Sequence, residues 1–332
     1  MPKRQTPEIV TEALSEHPAV KAWCELRGLH VEPCHIEVLK LKHKIAAYRL
    51  VGVGPRGGSI ITKRFRTAKA RVERMIYEEI LPQVPLPALR CHGFLEEPGG
   101  EFCWLFLEEA NGEFYSPQRD EHRKLAGRWL GSLHLTTLSA DSRARLPERR
   151  PDHYLQRLRA VRAKFNEYLD NRLLPGADLK LLRTVAGHCD ALEARWEEVE
   201  ECCAAMPRTL VHGDFVVKNL RVRDGPTGPE LLIFDWELAG WGVPAADLAQ
   251  FVGSTASPDL DVYCSVLGQL DRRDLQRMAG CGGLLRIVDE LYWPTTFITD
   301  SAYKFFIRPI GHFRLIEPQF AAALSAGNWT AA

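Results

Sequence analysis

Two apolar runs separated by a dense cluster of turn formers constrain this chain more than any other stretch. Leu220 and Val222 lie in the first run, and Leu231, Leu232, Ile233 and Phe234 in the second. Between them stands Asp224-Gly225-Pro226-Thr227-Gly228. Such a cluster between apolar runs predicts a β-hairpin. Polar residues flank it at fixed places: His212-Gly213-Asp214 and Lys218-Asn219 before it, Asp235-Trp236-Glu237 after it. If the hairpin is symmetric about Thr227, Asn219 and Asp235 fall opposite each other. Directly opposed residues have side chains about 5 Å apart, close enough to share one cation.

Residue type then points to chemistry. Hard oxygen ligands such as Asn219 and Asp235 suit Mg²⁺, which keeps several waters and bridges phosphate oxygens. Phosphoryl transfer demands positioning and charge neutralisation more than covalent work from a protein. Asp214 is left to accept the proton of an attacking hydroxyl, or to orient that hydroxyl. Protein kinases divide the labour in the same way, with the base on the loop that also carries a metal-binding Asn. Asp214 and Asn219 are five residues apart, the spacing of that loop.

At these residues the chain resembles the aminoglycoside phosphotransferase family, a branch of the protein-kinase-like fold that also includes choline kinase-like enzymes. The likeness continues through Gly242-Val243-Pro244-Ala245-Ala246-Asp247-Leu248-Ala249, and upstream through Trp129-Leu130-Gly131-Ser132-Leu133-His134. It implies an α+β bilobal fold. Residues 1–109 would form a nucleotide-binding lobe of antiparallel sheet plus one main helix. Residues 110–332 would form a mainly helical lobe carrying the catalytic loop, the metal hairpin and the acceptor site. The resemblance makes Asp214 the catalytic residue and gives His212 and Asp247 supporting roles. Helix capping after Pro244 is the plainer expectation for Asp247.

The remaining pattern is consistent with two lobes. Residues 8–28 read as short helices, followed by strand-like runs over 35–41, 45–53 and 59–65. A helix is predicted from Thr67 to about Leu81, ended by Pro82, and further strands over 89–94 and 102–107. Beyond Asn111-Gly112 the pattern turns helical, over 118–138, 154–171 and 179–206. Strands packed with one main helix make a small α+β lobe.

Lys63, at the end of Ile60-Ile61-Thr62, resembles the strand lysine that holds the α- and β-phosphates of ATP. A compact ammonium on a flexible stem suits a phosphate contact. The resemblance pairs it with Glu73. Helical periodicity puts Glu79 nearer the centre of the inward stripe of Val72, Met75, Ile76 and Ile80, so Glu79 stands as the alternative. Gly52-Val53-Gly54-Pro55-Arg56-Gly57 matches a nucleotide-loop pattern, but the residues after it read as a strand, which makes it a hairpin turn. The phosphate-covering turn falls instead on Lys42-His43-Lys44, with Lys44 the candidate phosphate contact.

For the acceptor, relatives that modify aminoglycosides line the site with carboxylates from the helical lobe. Asp289, Glu290 and Asp300 are the candidates, with Tyr292 and Trp293 as stacking platforms. An amphipathic helix with a charged outer face explains the same run. Choline-type acceptors would favour aromatic faces. The reading is an ATP- and Mg²⁺-dependent O-phosphotransferase acting on a small polar molecule, first an aminoglycoside-like natural product. A metabolic kinase of choline, ethanolamine or sugar type is the rival, and a nucleotide-binding pseudokinase the alternative of another class.

Composition narrows the partners. The chain has 332 residues, with 43 basic and 43 acidic, so no overall charge favours nucleic acid or an anionic membrane. No apolar run approaches the roughly 20 residues that span a bilayer. The first residues lack the apolar stretch of a secretory signal, which predicts a cytoplasmic protein. Nine cysteines, an odd number, then read as reduced thiols.

Overall fold

The computed structural model describes residues 7–42, 45–268, 271–327 and 329. The chain divides into two compact units. One comprises Met1–Glu113 and Arg221–Leu238, the other Phe114–Leu220 and Ala239–Ala332.

The first unit is built on a six-stranded sheet. Its order is Glu8–Val10, His35–Lys42, Ile45–Val51, Ile60–Arg66, Phe102–Glu108 and Cys91–Glu96. Every neighbouring pair is antiparallel. Side chains alternate across a strand, so Ile60 and Lys63 face opposite sides. On the Ile60 side, the helix Pro18–Arg27 buries Ala19, Val20 and Trp23 against Ile36, Leu50, Trp104 and Phe106. On the other side lies the helix Thr67–Met75, and Lys63 with it.

Two elements here differ from the sequence expectation. Residues 8–10 form an edge strand paired with 36–38, not part of a helix. Three residues are too few to display a period. The helix that begins at Thr67 keeps α geometry only to Met75, then passes through a π turn, Ile76–Ile80, into a 3₁₀ turn, Leu81–Gln83. A π turn takes extra residues per turn and rotates everything after it relative to the α period. The segment Pro55–Gly57 is a short turn between two strands.

The hairpin joins Leu220–Gly225 to Gly228–Ile233 through a two-residue turn. Its centre falls between Pro226 and Thr227, not on Thr227. A division at 109/110 would leave this hairpin wholly with the helical part, whereas 221–238 belongs to the first unit. Side-chain contacts within that unit show why. Arg223 Nη1 lies 3.1 Å from Glu108 Oε1, and the Trp236 backbone N–H donates to Glu73 Oε1 at 3.2 Å.

The second unit is helical. Its longest helix, Arg272–Thr295, packs against Pro151–Glu167, Trp196–Ala204, Ile307–Ala326 and the 3₁₀ turn Pro244–Leu248. Leu284, Ile287, Val288 and Leu291 are fully buried along it. The predicted helix over 179–206 is in fact two, Gly176–Glu193 and Trp196–Ala204, broken where Arg195 leaves helical geometry. Among the described residues, no helix is long and apolar enough to cross a membrane.

Candidate functional site

In the second unit, Asp214 follows the buried strand Thr209–Val211 and precedes the 3₁₀ turn Val217–Asn219. The loop is held by its main chain. Asp247, 2% exposed, accepts the His212 backbone N–H on Oδ2 at 2.7 Å and the Gly213 N–H on Oδ1 at 3.0 Å. Farther along, Val217 N donates to Ser254 O, and Ala256 N to Phe215 O. His212 Nδ1 accepts from the Asp214 N–H at 3.2 Å. Asp247 is therefore not capping the turn that contains it: its carboxylate reaches across to the loop. Gly213 has φ 74°, the left-handed region in which glycine is at ease.

The Asp214 carboxylate is surrounded by donors. Asn219 Nδ2 donates to Oδ2 at 3.0 Å and also to the Asp214 carbonyl at 3.0 Å. Lys218 Nζ lies 3.1 Å from Oδ2, and Arg286 Nη1 lies 3.0 Å from Oδ1. Burial works to raise the pKa of Asp214, but the charges of Arg286 and Lys218 outweigh it and hold the carboxyl below its ordinary value. Sequence reasoning missed Arg286. Its helix shows an Arg286/Glu290 pair at the i,i+4 spacing, but nothing in the chain signals that its other face meets a loop far upstream.

The expected acceptor residues have prior partners in this unit. Arg157 forms a buried ion pair with Asp289, and its guanidinium lies 5.3 Å from the Trp293 ring centroid. Arg286 Nη2 donates to Glu290 Oε1 at 2.8 Å, and His312 Nε2 lies 2.9 Å from Glu290 Oε2. Burial pushes Glu290 up, yet His312 and Arg286 together bring it down to about 2. For Asp289, burial outweighs Arg157 and the pKa is raised. Asp300 is exposed, and its Oδ1 accepts the Ala302 N–H at 2.8 Å in the turn before Tyr303–Phe305.

In the first unit, Lys63 is the centre of an acidic cluster. Its Nζ lies 2.7 Å from Asp235 Oδ1, 3.0 Å from Glu73 Oε2 and 3.5 Å from Glu237 Oε2. Glu73 is 1% exposed, whereas Glu79 faces solvent. An unbroken α period would turn Glu79 inward, but the π turn over Ile76–Ile80 rotates it away. Burial opposes the charge on Lys63, but the three carboxylates hold the ammonium well above its ordinary value. For Glu73, burial dominates and raises the pKa even against the attraction of Lys63. Burial disfavours both charges: on Lys63 the neighbouring carboxylates outweigh it, whereas Glu73, the most deeply buried carboxylate, is the one pushed towards its neutral form. Glu237 is a partner of Lys63 that sequence reasoning did not assign, although it stands two residues from Asp235. Lys44 lies outside the described residues.

Asp235 has φ 68°, the left-handed region that few residues other than glycine, asparagine and aspartate accept. The hairpin thus ends in a backbone bend that turns this carboxylate onto Lys63. The oxygens of Asp235, in the first unit, and of Asn219, in the second, are of the hard type magnesium prefers. By donor type, each of these side chains suits that ion.

A family model described as the phosphotransferase enzyme family matches residues 47–281. A search of curated proteins found no match. Solved structures share the fold at low identity. A spectinomycin phosphotransferase in complex with ADP and spectinomycin has a TM-score of 0.59 at 10% identity, covering 88% of this chain and 94% of that one. An ethanolamine kinase of Plasmodium vivax has a TM-score of 0.59 at 15% identity, with 87% and 84% covered. A choline kinase of Cryptosporidium parvum has a TM-score of 0.56 at 13% identity, with 88% and 90% covered. These are kinase-like bilobal proteins, the class read from the Asp214 loop and the hairpin. With most of its length matched by one family model, the chain belongs to the phosphotransferase enzyme family.

Proposed function

We propose that this protein transfers the γ-phosphoryl group of ATP to a hydroxyl of a small polar molecule, working in the cytoplasm. The observation that carries the reading is Asp214: a buried, ionised carboxylate on a loop fixed by its main chain, with Asn219 beside it. The acceptor oxygen forms a bond to the γ-phosphorus while the bond from that phosphorus to the β–γ bridging oxygen breaks. The electron pair leaves with ADP, and the hydroxyl proton passes to Asp214 or to water. With Arg286 and Lys218 on its oxygens, Asp214 is a weak base. Its main contribution is then to orient the hydroxyl, which a loose phosphoryl-transfer transition state tolerates well.

Lys63 binds the α- and β-phosphates, and Glu73 keeps its ammonium in place. Asn219 and Asp235 would hold Mg²⁺, which when bound neutralises phosphate charge. His212 and Asp247 brace the loop, and the two parts of the chain serve as nucleotide lobe and acceptor lobe.

An aminoglycoside-like natural product is the first acceptor class to test, as the spectinomycin-binding relative suggests. A metabolic kinase of the choline or ethanolamine type gains from one observation: Arg157 and Arg286 already hold Asp289 and Glu290. A polycation would have to compete with those guanidinium groups.

The experiment is incubation of the purified protein with ATP, Mg²⁺ and a panel of aminoglycosides, choline, ethanolamine, sugars and nucleosides, with phosphorylated products read by mass. Asp214→Ala should abolish turnover while ATP still binds. Nucleotide binding with no product on any acceptor would favour a pseudokinase, and a wild-type rate for Asp214→Ala would refute the assigned role.

A further inference from the structure

The contact between Arg286 and Asp214 supports a further step, which rests on Asp214 facing the acceptor hydroxyl. A carboxylate offers about four acceptor positions, two on each oxygen. On Asp214 Oδ2, Asn219 Nδ2 at 3.0 Å and Lys218 Nζ at 3.1 Å take both. On Oδ1, Arg286 Nη1 at 3.0 Å takes one. The position left over is on Oδ1, and its direction is set by where Arg286 stands. We propose that Arg286 is a positioning residue, which turns Asp214 so that the remaining lone pair of Oδ1 faces the acceptor hydroxyl.

Arg286 is built to hold a direction. Its side chain is 8% exposed, and its second arm is tied to Glu290 at 2.8 Å. Glu290 is tied in turn to His312, at 2.9 Å, from the helix Ile307–Ala326. One turn before Arg286, Gly282 lets the helix approach the 3₁₀ turn that carries Asp247: a Cβ there would meet the Ala245 carbonyl oxygen at 1.8 Å. The guanidinium is therefore fixed between two carboxylates by packing on both sides. Lys218 cannot do this work. Its side chain is 65% exposed, on a flexible stem carrying a point charge.

Nor does helix stability account for Arg286. A buried guanidinium is costly unless well paired, and its Nε is buried with no hydrogen-bond partner among the described residues. What Arg286 adds is a fixed geometry on Asp214.

The test uses the full chain with ATP, Mg²⁺ and the acceptor that the panel identifies. Arg286→Gln and Arg286→Lys should lower kcat by about 30- to 100-fold with both KM values within about twofold, the scale of loss from small misplacement of a reacting group. Glu290→Gln, which unties the outer arm only, should give a partial loss of about fivefold in kcat. In an Asp214→Asn background, Arg286→Gln should change the residual rate less than about twofold, because it acts through the carboxylate already removed. Should Arg286→Gln not fold, Arg286→Lys and Glu290→Gln carry the same readouts.

Three results would overturn the proposal: kcat within twofold of the parent for the Arg286 variants, a loss confined to the acceptor KM, or an equal loss in the Asp214→Asn background. A wild-type rate for Asp214→Asn itself would instead remove the reading beneath it.

Discussion

Asp247→Ala should uncouple the Asp214 loop from its scaffold. The Asp247 carboxylate is buried and accepts two backbone N–H groups, from His212 at 2.7 Å and from Gly213 at 3.0 Å. Alanine would leave both donors buried without a partner, at about 1–3 kcal/mol each. Relief of a buried charge returns part of that, so the net loss is about 3 kcal/mol. In a unit of roughly 200 residues each kcal/mol moves Tm by about 2–4 °C, which gives a fall of about 6–12 °C. Asp247→Asn should lose somewhat less, since its carbonyl oxygen satisfies one donor while its amide opposes the other. Thermal melts of the three proteins, followed by circular dichroism, measure this. Both freed donors lie just before Asp214, so kcat should fall more than the KM for ATP rises. A Tm within about 2 °C of the parent, with kcat within about twofold, would refute the claim that Asp247 holds the loop through its main chain.

Two further outcomes follow from packing and charge. Gly282→Ala places a Cβ 1.8 Å from the Ala245 carbonyl oxygen, whereas the same change at Gly283 meets Val252 Cγ2 at 3.4 Å. Urea midpoints should show a loss of about 1–3 kcal/mol or more for the first and less than about 1 kcal/mol for the second. Glu290 has a folded pKa of about 2 against an ordinary 4.5, so folding favours its ionised form. That contribution, about 3 kcal/mol, is present above roughly pH 4.5 and is lost as pH falls towards 2. Denaturation midpoints for the parent and Glu290→Gln should therefore differ above pH 4.5 and converge at the acid end.

The Asp214 loop and the hairpin were legible because each rests on short-range rules: turn formers between apolar runs, and a five-residue spacing within one loop. Lys63 stood out through its resemblance to the family's strand lysine, at the end of Ile60-Ile61-Thr62. What remained hidden depends on geometry that a one-dimensional pattern does not carry. Periodicity ranks Glu79 above Glu73 only if the α period runs unbroken past Met75, whereas a π turn occupies Ile76–Ile80. The edge strand at 8–10 is too short to have a period. Asp289 and Glu290 were visible as carboxylates on one helix, but their partners Arg157 and His312 come from other helices, and only the fold reveals that their charge is already matched. Arg286 was hidden for the same reason: its function is defined by what lies opposite, not by its neighbours in the chain.

The left-handed backbone at Asp235 separates two kinds of failure that a mutational survey would otherwise merge. Glycine and asparagine can inherit the bend while giving up the charge, so chains carrying them should accumulate to normal levels and be silent. Glutamate keeps the charge but resists the bend, so it is penalised in abundance as well. The substitution that looks mildest by chemistry is thus the harsher one for the chain.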